Sequence, residues 1–89
     1  MSEARTITIL YFAWVRERIG RGSESLSVPA SIVTVADLVA WLRARGPEYE
    51  LAFAKPDVIR AALDQTHVKS NAPLAEAREV AFFPPVTGG

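Results

Sequence analysis

The sequence contains no cysteine and a single histidine, His67. Without thiols there is no disulfide framework, no thiolate ligand and no cysteine nucleophile. One imidazole cannot supply the three or four protein ligands of a zinc site, so no metal is expected. An excess of charge of either sign is also missing. Ten Lys and Arg residues offset ten Asp and Glu residues, for a formal net charge of zero. Nucleic-acid and membrane-surface binders carry a basic excess, so neither partner is expected. No apolar run approaches the ~20 residues that cross a bilayer. The opening Met1-Ser-Glu-Ala-Arg5 lacks the pattern of a signal peptide, and the expected location is the cytoplasm.

Catalytic constellations are equally scarce. The acidic residues are scattered; Glu48 and Glu50 flank Tyr49 and read as solvent-facing. No serine sits in a nucleophile elbow. Gly20-Arg21-Gly22 lacks the third glycine of a dinucleotide loop and lies between elements of the wrong order. His67 falls on a short hairpin strand, a poor position for a general base. An autonomous active site is not expected.

What is present is one small domain. Eighty-nine residues, 49% of them hydrophobic, bury about 60–65% of their unfolded surface. Thr6–Phe12 reads as a first strand, with Ile7, Ile9 and Tyr11 on one face and Thr6, Thr8 and Leu10 on the other. Neither face is very polar, which suits a strand inside a sheet. Trp14–Ile19 reads as a short helical piece that ends in the Gly20-Arg21-Gly22 turn. Ser25–Pro29 is a second strand, antiparallel to the first, with Leu26 and Val28 inward. Thr34 is the N-cap of the main helix, and Asp37 three residues later approaches a capping box. Val35, Leu38, Val39 and Leu42 make its buried stripe, with Trp41 at the stripe edge. Arg43 and Arg45 suit its last turn, and Gly46-Pro47 is expected to stop it.

Glu48–Ala54 reads as helix or turn, with Leu51 and Phe53 expected to cover the core. Lys55-Pro56-Asp57 is a loop and Val58–Leu63 a strand. Asp64-Gln65-Thr66 is a hairpin connection, and His67-Val68-Lys69 pairs back. Leu74–Arg78 is a turn before the last strand, Glu79–Phe83. One good helix and about five strands predict a two-layer α+β domain with the apolar first and last strands side by side in mid-sheet.

The end of the sequence is its most pointed feature. Val80-Ala81-Phe82-Phe83 is a buried-strand run. Phe82 and Phe83 alternate in direction, so one enters the core and the other faces out. Pro84 and Pro85 lack an N–H and fix φ, which ends the ladder and favours an extended path. Residues 84–89 can reach roughly 19 Å along such a path. Gly88 and Gly89 have no Cβ, so the tip is thin. Its one reactive group is the α-carboxylate of Gly89, a poor electrophile until a partner activates it.

The stretch Glu79-Val-Ala-Phe-Phe-Pro-Pro-Val-Thr-Gly-Gly89 resembles the C-terminal signature of the small subunits of molybdopterin synthase, a family of ubiquitin-like sulfur carriers. Tyr11-Phe-Ala-Trp-Val-Arg-Glu17 resembles the family's first strand and Val-Arg-Glu turn. Leu63-Asp64-Gln65-Thr66-His67-Val68 resembles its Val-Asn-Gln hairpin, with Asp64 in place of Asn. Ala72-Pro73-Leu74 and Glu79-Val80 resemble the lead-in to its last strand. Ala77-Arg78 departs from the family's Gly-Asp, which bears on the local turn because Ala resists positive φ.

The resemblance selects a ubiquitin-like β-grasp: a mixed sheet covered by one main helix over residues 1–83, and a protruding tail over 84–89. It implies that Gly89 is adenylated by a ubiquitin-activating-type adenylyltransferase using ATP. The carboxylate then becomes a thiocarboxylate and gives its sulfur to a pyranopterin precursor. The chain itself is expected to bind no cofactor and to act as the non-catalytic, sulfur-donating subunit. The implied assembly is a heterotetramer of two small and two large subunits. Gly88 and Thr87 would thread a channel in the large subunit, Pro84, Pro85 and Val86 would set the direction, and Phe83 and His67 would lie in the partner interface. The residues alone leave two other functions nearly level: a carrier serving another acceptor, such as thiazole synthesis or tRNA thiolation, and a ubiquitin-like binding or conjugation module.

Overall fold

The computed structural model describes residues 4–85. A five-stranded mixed sheet is built from β1 (Arg5–Tyr11), β2 (Ser23–Val28), β3 (Arg60–Leu63), β4 (Thr66–Val68) and β5 (Glu79–Phe83), in the order β2-β1-β5-β3-β4. β5 runs parallel to β1, with Tyr11 beside Phe82, and antiparallel to β3. The first and last strands are therefore neighbours inside the sheet, as their apolar character predicts.

One face of the sheet is covered. Ile7, Ile9 and Tyr11 of β1 and Val80 and Phe82 of β5 point into a core closed by α1 (Ala13–Ile19), α2 (Val35–Arg43) and α3 (Pro47–Ala52). α2 buries the expected stripe of Val35, Leu38, Val39 and Leu42. Its N-terminus is a full capping box: Asp37 N–H donates to Thr34 Oγ1, and Thr34 N–H donates to the Asp37 carboxylate, both at 3.1 Å. Two orphan N–H groups are thereby satisfied, and the carboxylate sits at the positive end of the helix dipole. The backbone N–H groups of Thr34 and Val33, which both donate to it, hold the Asp37 carboxyl below its ordinary range.

Several details differ from the sequence expectations, beginning with the expected loop at Lys55–Asp57 and strand at Val58–Leu63: Pro56–Val58 is a 3-10 turn and β3 starts only at Arg60. α2 ends at Arg43, before Gly46, and Pro47 opens α3 instead of only closing α2. Proline is tolerated there because a first-turn N–H has no helical partner. Leu51 is 57% exposed and does not cover the core; Tyr49, Ala52 and Phe53 do. In one turn of helix the positions 49, 52 and 53 share a face, and 51 points away from it. The β3–β4 connection is also tighter than expected. Asp64 and Gln65 alone make it, both with positive φ, and Thr66 already belongs to β4. That is the two-residue hairpin turn whose twist matches the strands. The glycine lost at Ala77 has no geometric consequence, since the left-handed residue of that loop is Ala75.

One polar group sits inside the apolar layer. Glu24 lies on β2 in alternation with Leu26 and Val28, and its side chain is only 8% exposed. Its Oε2 accepts hydrogen bonds from Tyr11 OH at 2.7 Å and Tyr49 OH at 2.6 Å. Its Oε1 accepts from Arg21 at 3.0 Å, with Arg45 at 4.0 Å. Burial pushes the Glu24 carboxyl up, but the two tyrosine hydroxyls and the two arginines outweigh it, and the net shift is downward. Burial and the same carboxylate push the Tyr11 hydroxyl far above its ordinary value near 10.

A carboxyl whose folded pKa lies below its unfolded one contributes stability above the unfolded value and loses it as pH falls through the folded one. The protein should therefore lose stability as pH drops below about 4.5, the ordinary glutamate value. Glu24→Ala should cost about 2–3 kcal/mol at neutral pH, because it strands two buried hydroxyls. Glu24→Gln should cost less and flatten the acid limb. Urea denaturation across pH measures all three.

Candidate functional site

The site begins where β5 leaves the sheet. Inside the sheet β5 is held on both sides. Its C-terminal end is pinned by Phe12 N–H, which donates to Phe82 C=O at 3.1 Å. Its start is pinned by Asp64, whose Oδ1 accepts from Arg78 N–H at 3.0 Å and Glu79 N–H at 3.1 Å. Asp64 therefore performs a backbone-capping task from its left-handed turn position, one that a short polar side chain suits. Phe82 is fully buried and meets Phe53 edge-to-face, centroids 5.1 Å apart. That contact locks the last inward side chain before the prolines. Pro84 and Pro85 follow, both half-buried.

Phe83 points to the opposite, helix-free face. Phe12, in extended conformation just past the end of β1, alternates outward after the inward Tyr11. Phe12 is 48% exposed and Phe83 half-buried. The imidazole of His67 tilts against the Phe83 ring at 5.1 Å. β3 lies between these two residues, with Ala62 opposite His67 and Arg60 opposite Phe83; the small Ala62 side chain leaves the rings room to meet. Leu10, half-buried, shares this face, which makes it an apolar outer patch at the foot of the exit; Ala81 on the same face is itself buried.

Of the expected site residues, the structure thus brings Phe83 and His67 into contact and sets Pro84 and Pro85 at the patch's edge. Val86, Thr87, Gly88 and Gly89 lie outside the described residues. The sequence reading missed Phe12 as a site residue, although the alternation that turns Tyr11 inward already turns Phe12 outward. Among the described residues, no three His, Asp or Glu side chains gather as metal ligands, and no helix is long and apolar enough to cross a membrane.

A mixed sheet with a shared helical cover, a central last strand and an exit beside an apolar outer patch defines a ubiquitin-like β-grasp protein. The SAMP1 protein of Haloferax volcanii shares this fold, with a TM-score of 0.69 at 22% identity over 96% of this chain and all of that one. The ThiS family model matches residues 9–89, and the chain belongs to that family. It is similar to the molybdopterin synthase sulfur carrier subunit of Escherichia coli, 41% identical over 83 residues, covering 93% of this chain and 99% of the relative. The subunit of the same name from Haemophilus influenzae is 31% identical over the same shares.

The two aromatic neighbours should respond differently to truncation. Phe82→Ala should cost about 3–5 kcal/mol, because it opens a cavity under β5. Phe83→Ala should cost less than about 1.5 kcal/mol, since Phe83 is only half-buried. Guanidinium denaturation of both variants checks the contrast.

Proposed function

We propose that this chain is the sulfur carrier subunit of a molybdopterin synthase, working in the cytoplasm on molybdenum cofactor biosynthesis. The observation that carries the reading is the family match running through residue 89, onto a strand that the fold anchors up to Pro84. Its 41% identity to a sulfur carrier subunit supports the same role.

In this reading the Gly89 carboxylate attacks the α-phosphorus of ATP on an adenylyltransferase of the ubiquitin-activating type, and pyrophosphate leaves. Hydrosulfide then attacks the acyl carbon; the C–S bond forms as the C–O bond to AMP breaks and AMP leaves. The product is a thiocarboxylate. Its sulfur attacks an electrophilic carbon of the pyranopterin precursor held by the large subunit as a C–O bond at that carbon breaks, and hydrolysis of the resulting thioester leaves the sulfur on the pterin and returns the carboxylate.

The chain's own residues bind and aim. Gly88 and Thr87 pass a narrow channel because they are thin. Val86, Pro85 and Pro84 fix the direction from the sheet. Phe83, with His67 tilted against it and Phe12 on the same face, docks on the large subunit, two copies of each subunit making the assembly. Buried aromatic anchors of this kind dominate interface energies.

Intact mass spectrometry of the protein incubated with ATP, the adenylyltransferase and a sulfur source tests the chemistry. A gain equal to the exchange of one oxygen for one sulfur, localised to Gly89, is expected. No gain with a folded chain would refute the carrier role. A residue added after Gly89, or Gly88→Ala, should abolish sulfur transfer while the melting temperature holds. Phe83→Ala should weaken binding to the large subunit by about 2 kcal/mol, read by titration calorimetry.

A further inference from the structure

The β4 edge of the sheet carries a feature of which the proposed sulfur carriage uses only His67. β4 pairs with β3 alone and is an edge of the sheet. The two-residue turn closes the hairpin with Leu63 and Thr66 as a hydrogen-bonded pair. Ladder alternation then leaves the N–H and C=O of His67 facing away from β3, toward the open edge.

Two hollows flank this edge, one on each face. On the helix side a groove of about 540 Å³ lies between α2 and β3–β4, with Val35, Val39, Ala61, Val68 and Phe82 among its apolar walls. On the outer side a shallower hollow of about 330 Å³ is lined by Arg60, His67 and Lys69 together with Ala61 and Val68. The charged side chains around the groove are Arg43, Arg60 and Lys69 against Asp57. That local surplus of positive charge stands out in a chain whose net charge is zero.

A strand laid along β4 would send its side chains alternately to the two faces, and cross-strand partners share a face. The residue opposite Val68 would enter the apolar groove. Its neighbours on either side would fall beside Arg60, His67 and Lys69. We propose that the β4 edge is a docking site for an extended segment of a partner protein, in which apolar and acidic side chains alternate. The backbone of β4 supplies the pairing, the groove takes the apolar side chains, and the cations select the acidic ones. Many native sheets blunt such an edge with proline or a bulge; β4 carries neither, and its neighbouring Lys69 suits an acidic partner.

The probe is a blocked heptapeptide alternating valine and glutamate, titrated into the isotope-labelled full chain and followed by amide NMR. Shifts should concentrate at Val39, Ala40, Val68 and Lys69. The valine–lysine counterpart should bind at least about fivefold more weakly, as should a peptide N-methylated at the amides that pair. Lys69→Glu, an exposed position, should weaken the glutamate peptide and strengthen the lysine peptide, a reversal that misfolding cannot imitate. Filling the groove by Ala40→Phe should weaken both. Equal affinity for the two peptides, shifts confined to the Phe12–Phe83 patch, or shifts that follow protein concentration and not peptide would each overturn the proposal.

Discussion

The structure depends on the double pairing of β5. This strand sits between β1 and β3, and its two inward side chains, Val80 and Phe82, are fully buried. Central strands gain hydrogen bonds on both sides and apolar burial on their covered face, so they are the hardest part of a sheet to displace. Here that part is also the segment that leads to the functional end. Anything that loads the exit is resisted by two ladders, by the Phe53–Phe82 contact and by the Asp64 clamp on the strand's start. A carrier that hands its end to other proteins needs such a mounting, since a soft base would lose direction before the tip reached its target.

The Glu24 network serves the same end from beneath. Tyr11 is the inward register partner of Phe82, and its hydroxyl reaches the carboxylate on β2 that also holds Tyr49 of α3. One carboxylate thus ties two strands and a helix around the base of the exit. An apolar residue could fill that volume, but would leave two tyrosine hydroxyls without partners. A fully bonded buried charge is costly to create and costly to break, so it fixes one arrangement of its neighbours.

Much of this was legible in the sequence, for identifiable reasons. The strand periods of Ile7-Ile9-Tyr11 and the helical stripe of Val35, Leu38, Val39 and Leu42 follow from local geometry, and they survive into the structure unchanged. So does the strand-then-proline ending. Leu51 was misplaced because it was paired with Phe53 two residues on, a spacing that shares a face in a strand but points to nearly opposite sides of a helix. Glu24 passed unnoticed because its partners come from three distant elements, and only an acidic residue out of phase on a strand hinted at it. Phe12 was hidden by its place at a strand's end, where β1 becomes α1 through Ala13 at positive φ. The edge hollows beside β4 are tertiary features; no local pattern announces a space between a helix and a hairpin.

The parallel pairing of β1 with β5 joins the two extremes of the described chain. Contacts so distant in sequence form late and slowly, because a long loop must close first. During synthesis the first strand waits for nearly every other residue to be made. The sheet cannot complete its core until β5 has left the ribosome. A chain that stops before Glu79 lacks the central strand and cannot close this core.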